Sequence, residues 1–351
     1  MKTKINKFIY SKVFIQPFFL SLLILFFISL PGITTAYTET TSGGSLVATV
    51  RPSSPAPNEN ITINLAGYGY KIDQADIIWY LNDTEVQKGT GLKSYTFTNG
   101  DLGETSVITI LLRTKEGRVI AKNMTFIGAE VDLLWQANTY TPNFYSGASL
   151  PTSGSMVTVT AIPQIKNITT GEIVPSNDLI FTWKKDYKNL VADSGVGKNS
   201  ISFRTGLFPN SHNVEVTVSS ANSSIEAYKK ITIPIYEPEL IIYPHKPLTG
   251  PVTTKTIGNS YTTNDNEESF IVEPYFWPND QLENNGTIFS WQINNEVVSS
   301  TISPEDRILN TEIGGSGGSA NINIRVSSLL NRFLQNQKSF TIELDNAFNL
   351  F

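Results

Sequence analysis

From about residue 45 onward the chain is written in short runs in which apolar and polar residues alternate. Each run breaks at Gly, Pro, Asn or Asp. Ile108, Ile110 and Leu112 form one apolar series, Val214, Val216 and Val218 another, and Ile322, Ile324 and Val326 a third, with Asn321, Asn323 and Arg325 interleaved in the last. A period of two puts successive side chains on opposite faces, so each run predicts a strand with one buried face. "ITINLAGY" (61–68), "MVTVTAIP" (156–163) and "SFIVEPYF" (269–276) precede these series, and "NMTFIG" (123–128), "KKITIPIY" (229–236) and "KSFTIEL" (338–344) follow them. "LVATVRP", "VDLLWQA" and "ELIIYP" open each set.

The sets are copies of one another. Residues 77–97 and 180–203 both run from an apolar pair and a Trp, through a polar turn, to Gly-x-Gly and Ser-x-x-Phe: "GTGLKSYTF" from Gly89 matches "GVGKNSISF" from Gly195. A third copy, "IFSWQINNEVV" (288–298), keeps the Trp and lacks a recognisable Gly-x-Gly segment. Trp79, Trp183 and Trp291 stand 104 and 108 residues apart, a domain's length rather than a solenoid repeat. About six strands per copy, in about 100 residues with turn signals between, predict an immunoglobulin-like sandwich. The expectation is an all-β chain of three tandem immunoglobulin-like β-sandwiches, spanning 45–129, 130–236 and 237–347. Trp79, Trp183 and Trp291, with Phe97 and Phe203, are assigned to the cores. An indole on a central strand buries on the order of 200 Å² and fills the space between two sheets. The joints are short. "FIGAEVDLL" has no spacer, and "IPIYEPELIIYP" carries Pro234, Pro238 and Pro244, which hold the chain extended.

These repeats resemble the polycystic-kidney-disease (PKD) type of immunoglobulin-like domain found in bacterial surface proteins. That family follows its aromatic strand with a Trp-Asp-Phe-Gly-Asp-Gly type sequence. Here Trp79 is followed by "YLND", Trp183 by "KKDY" and Trp291 by "QINN", so the broader immunoglobulin-like label is the one the residues carry. The stretch 133–161, "LLWQANTYTPNFYSGASLPTSGSMVTVTA", resembles exported proteins of candidate-phylum bacteria, a likeness that implies no activity.

The first 36 residues are a different text. Lys2, Lys4, Lys7 and Lys12 precede the 13-residue apolar run Phe18 to Leu30, and Thr34 and Ala36 are placed as a cleavage site places small residues. This is the pattern of a secretory signal peptide, and the run is short of the ~20 residues of a membrane span. The expectation is export, secreted or at the cell surface, with membrane attachment only through this segment if it is kept. Its removal leaves 22 basic against 31 acidic residues, near −9, which repels nucleic acid. Cysteine is absent, so the sandwiches stand without disulfides, and thiol chemistry and thiolate zinc sites are excluded.

No catalytic pattern emerges. His212 lies in the expected turn "PNSHNV", where a solvated His is ordinary, and His245 in "YPHKP"; neither neighbours a nucleophile or metal-ligand pattern. Asp73 and Asp76, and Asp265, Glu267 and Glu268, are the densest acids. Ca²⁺ binds such oxygens at loop ends, but neither run has the spacing of a calcium loop, and no cofactor is expected. "GGSGGS" (314–319) reads as a loop, and the six Asn-x-Ser/Thr sequons (Asn60, Asn82, Asn123, Asn167, Asn222, Asn285) matter only in a host that glycosylates them. Two aromatic clusters near turns remain: Tyr140, Phe144 and Tyr145, and Tyr275, Phe276 and Trp277. They suit stacking on sugars or docking a partner, and equally the plugging of sandwich ends and joints. The expected function is a non-enzymatic structural or adhesive surface protein with envelope or surface proteins as partners. The alternative is a carbohydrate-binding accessory module.

Overall fold

The computed structural model describes residues 36–41, 44–208, 210–221, 224–301, 307–312 and 319–344. The leader up to residue 35, most of the Gly-Ser loop and Asn222 lie outside them. Strands dominate, and among the described residues one short helix, Asn279–Glu283, joins three single-turn 3₁₀ segments. None of the helices there is long and apolar enough to cross a membrane.

The alternating runs become strands, and the strands pair into two sheets per copy. In the first copy Gly44–Arg51, Asn60–Tyr68 and Ser94–Thr98 form one sheet, with Ala36–Thr41 added at its edge. Thr84–Thr90, Asp76–Leu81, Thr105–Arg113 and Val119–Ile127 form the other, in that spatial order. The second copy repeats the frame. Glu130–Asn138, Met156–Gln164 and Ser200–Arg204 lie opposite Lys188–Asn189, Ile180–Lys185, Ser211–Ser219 and Glu226–Pro234. In the third, Glu239–Lys246, Glu267–Tyr275 and Ile308–Glu312 lie opposite Glu296–Thr301, Thr287–Ile293, Ser319–Ser328 and Gln335–Leu344. Ser260–Thr263 joins the last of these in parallel. Each frame has seven strands, one more than the sequence reading counted. The addition is the strand hairpinned to the Trp strand, which is short and polar and so carries no alternation to read. Ile308–Glu312 supplies the third copy's counterpart of the Phe strand, with Leu309 opposite Phe270 where Phe97 stands opposite Ile61.

Register repeats with the sequence. Trp79 pairs with Ile110, Trp183 with Val216 and Trp291 with Ile324. All three indoles are fully buried, each in its own core. Phe97 is buried. Phe203 is half-buried at the rim of the second core, edge-on to His212.

The two ends of the doubled motif are coupled through hydrogen bonds. The indole N–H of Trp79 donates to the carbonyl of Leu92 (3.0 Å), and that of Trp183 to the carbonyl of Lys198 (2.8 Å). Each acceptor directly follows the second Gly of Gly-x-Gly, and these glycines, Gly91 and Gly197, have φ of +69° and +71°. That conformation costs a residue with a Cβ, and at Gly91 a Cβ would also lie 2.8 Å from the Asp73 carbonyl. The turn thus aims a carbonyl at the buried ring, which would otherwise leave its donor unpaired.

Three residues after each Trp comes a second repeated device. Asn82–Asp83, Asp186–Tyr187 and Asn294–Asn295 each have both φ values positive, the two-residue turn that matches strand twist. The first residue's side chain then bridges to the next core strand. Asn82 Oδ1 accepts from Val107 N–H (2.8 Å), Asp186 Oδ1 from Asn213 N–H (2.9 Å) and Asn294 Oδ1 from Asn321 N–H (2.9 Å).

His212 corrects the sequence reading. It is the second residue of the strand Ser211–Ser219 and is buried, its Nδ1 2.7 Å from Asp186 Oδ2. The turn ends one residue earlier than the Pro-Asn-Ser text suggests, and the same Asp186 that bridges the strands holds the ring.

Candidate functional site

The two aromatic clusters meet. They form the junction between the second and third sandwiches. Tyr140, Phe144 and Tyr145 lie on the long loop between Glu130–Asn138 and Met156–Gln164, folded by a turn in which Tyr145 N–H donates to the Pro142 carbonyl (2.9 Å). Tyr275 ends the strand Glu267–Tyr275. Phe276 then takes φ +61°, Trp277 N–H donates to the Pro274 carbonyl (3.2 Å), and Pro278 leads into the short helix.

The loop clasps this turn through its backbone. Tyr140 N–H donates to the Trp277 carbonyl and Phe276 N–H to the Tyr140 carbonyl, both 2.7 Å, while Thr152 Oγ1 donates to the Phe276 carbonyl (2.7 Å). Thr139 bridges Pro278 as an isolated antiparallel pair. Arg204 reaches from the second sandwich to the Gly154 carbonyl (2.6 Å) and to Asp280 (2.7 Å) of the third.

Side chains complete the junction. Trp277 is fully buried in the third core, its N–H on Thr287 Oγ1 (2.9 Å). Tyr275 and Phe276 are buried in a separate small cluster with Tyr243 and Ile271, against which Tyr145 and Leu150 of the loop pack. Tyr145 meets Tyr275 and Phe276 edge-on at 5.4 and 5.9 Å, and Phe144 meets Tyr243 at 5.4 Å. Phe144 is the most exposed of the six rings, at 41%. The outward face of Glu267–Tyr275 is therefore covered, which explains why that strand is apolar on both faces.

A charged group lies inside this contact. Glu273 is 3% exposed; its carboxylate accepts from the Tyr140 hydroxyl (2.6 Å) and pairs with Arg307 (2.7 Å), whose guanidinium also reaches the Tyr140 hydroxyl (2.8 Å). Burial pushes Glu273 above the usual carboxylate range, against the pull of Arg307 and Tyr140. Burial, then the hydrogen bond to Glu273, pushes Tyr140 up to about 12. Burial and the hydroxyl contact with Tyr243 raise Tyr275 as well.

The acids are engaged locally. Asp73 pairs with Lys93 (2.6 Å), and Asp76 accepts from Thr90 Oγ1 (2.6 Å). Asp265, Glu267 and Glu268 line an open groove of ≈ 650 Å³ with His245, Asn310 and Glu312. Glu268 there accepts from Tyr261 and Thr263. Among the described residues no three or more His, Asp or Glu gather to hold a metal ion. His245 Nδ1 lies 3.2 Å from Ser269 Oγ, but that hydroxyl donates to Asn310 Oδ1 (2.8 Å). Its proton is turned away from the imidazole, so the pair is not arranged as nucleophile and base.

Sequence reasoning missed Thr152, Arg204, Glu273 and Arg307. No spacing links these residues: Thr152 and Arg204 meet Phe276 and Asp280 only when two sandwiches dock, and Glu273 meets Arg307 through the pairing of Glu267–Tyr275 with Ile308–Glu312. The Asn or Asp three residues after each Trp was readable as a repeat.

No protein-family model matches the chain, and no curated protein matches it. Solved structures similar to it include the central fibronectin-III array of RIM-binding protein (14% identity, 90% of this chain and 98% of that one, TM-score 0.29). Others are Sidekick-1 immunoglobulin domains 1–5 (11% identity, 88% and 59%, TM-score 0.28) and the fibronectin(III)-like modules of Clostridium thermocellum CbhA (11% identity, 54% and 93%, TM-score 0.26). By its strand order the chain is a tandem array of immunoglobulin-like β-sandwiches.

Proposed function

We propose that this protein is an exported, non-catalytic structural or adhesive component of a cell surface, with other envelope or surface proteins as its partners. The observation that carries the reading is how the repeated residues are used. The Trp, the Gly-x-Gly turn and the Asn or Asp after the Trp all serve the sandwiches, and the aromatic clusters serve a junction. What remains for recognition is the loops that such modules present. The narrower likeness to PKD-type surface modules and to exported proteins of candidate-phylum bacteria belongs to this proposal. It is supported by the repeated Trp strand, without the Trp-Asp-Phe-Gly-Asp-Gly text.

N-terminal sequencing of the native protein tests export: a start at Tyr37 supports it, and Met1 on a chain recovered from the cytoplasm contradicts it. Pull-down from the native envelope then tests the partner class.

A second reading is glycan binding, and one observation favours it. Phe208 and Phe333 are 72% and 52% exposed, meet at 5.0 Å, and carry the Arg332 guanidinium over one ring. Glycan-array binding that is lost in Phe208→Ala would support that reading over the first.

A further inference from the structure

We propose that the turn at Phe276 is a strained latch held in place by the second sandwich, which makes the second and third sandwiches open and close as one cooperative unit. Nine residues other than Gly have positive φ among the described residues. Eight are Asn or Asp, or the second residue of a two-residue hairpin turn that requires this conformation. Phe276, at +61°, is neither. A bulky residue there is an outlier that persists only where its surroundings over-determine it.

Those surroundings come from the other sandwich. Phe276 N–H is taken by the Tyr140 carbonyl, the Phe276 carbonyl by Thr152 Oγ1, and the Trp277 carbonyl by Tyr140 N–H. Thr152 is fully buried, and its own carbonyl is held by Thr205 Oγ1 (2.6 Å) inside the second sandwich. Take the second sandwich away and one buried N–H and two carbonyls of the third lose their partners, while the left-handed backbone loses what compensates it. Glu273 then loses Tyr140, and the face that carries Tyr243 and Tyr275 loses the loop that covers it. Each loss favours release and each contact favours the latch, so intermediate positions are poor. Two discrete states follow: latched, as seen, and released, with Phe276 back in extended backbone.

Native-state hydrogen exchange on the full chain tests this, with Thr152→Val and Thr152→Ser as variants. In the unaltered protein the slowest amides of the second and third cores should report one common opening, while the first core opens on its own. Thr152→Val removes the donor to Phe276 and should separate the two openings by at least about fivefold, the worth of one buried hydrogen bond. Thr152→Ser keeps the hydroxyl and should keep the common opening. Independent opening in the unaltered protein would overturn the latch. So would Val and Ser variants that behave alike, since packing alone would then explain the effect. Slow amides retained in both the second and the third core show that each variant is folded.

Discussion

The three Trp residues show how a single side chain can organise a sandwich that has no disulfide. Trp183 fills the second core and spends its N–H on the carbonyl that Gly197 turns toward it. Trp183→Ala should therefore cost about 3–5 kcal/mol in equilibrium unfolding. Unchanged stability would remove Trp183 from the core role. Glu273 makes a prediction with a definite sign. Its folded value is raised, so its contribution to stability is whole below the unfolded carboxylate value and is lost as pH rises through the raised one. Urea unfolding of Glu273→Gln across that window should lack this loss, and an identical pH profile in both proteins would contradict it. The core residues were legible in the sequence because alternation and repetition point to them. Glu273 and Arg307 were not, because they stand 34 residues apart and meet only through the pairing of Glu267–Tyr275 with Ile308–Glu312, while Tyr140 reaches them from the second sandwich.

At the scale of elements, the strands announce themselves and the connections do not. The hairpin strand Thr84–Thr90 is almost wholly exposed, so no periodicity marks it. The loop 139–155 reads as a turn-rich aromatic stretch, yet it is the element that covers the third sandwich. Its rings look exposed in sequence because what buries them is 130 residues away in the chain, as the Tyr145–Tyr275 contact shows. The first joint is as tight in its own way. Gly128 N–H donates to the Glu104 carbonyl (3.0 Å), and a Cβ on Gly128 would lie 2.3 Å from the Asp101 carbonyl and 2.9 Å from that of Gly100. Both obstacles are backbone, so Gly128→Ala should destabilise the first sandwich by about 1–3 kcal/mol. Gly258→Ala, where nothing lies within 4 Å, serves as the control and should be near neutral. Equal behaviour of the two variants in chemical unfolding would mean that the first joint is not closely packed.

At the scale of the whole molecule, the two aromatic clusters hold the third sandwich to the second. The chain has no cysteine, so a pair introduced across the junction has no competing thiol. Thr139 and Pro278 face each other as an antiparallel bridge across the junction. Directly opposed residues in such a bridge have Cα atoms about 4.5–5.5 Å apart, within the range a disulfide spans. A chain carrying Thr139→Cys and Pro278→Cys should close under mild oxidation into an intramolecular disulfide in nearly every molecule, seen as the loss of the mass of two hydrogen atoms and a faster-migrating band without reductant. Thiols that stay free, or that react only between molecules, would contradict the docked junction and return the six rings to the list of candidate binding residues.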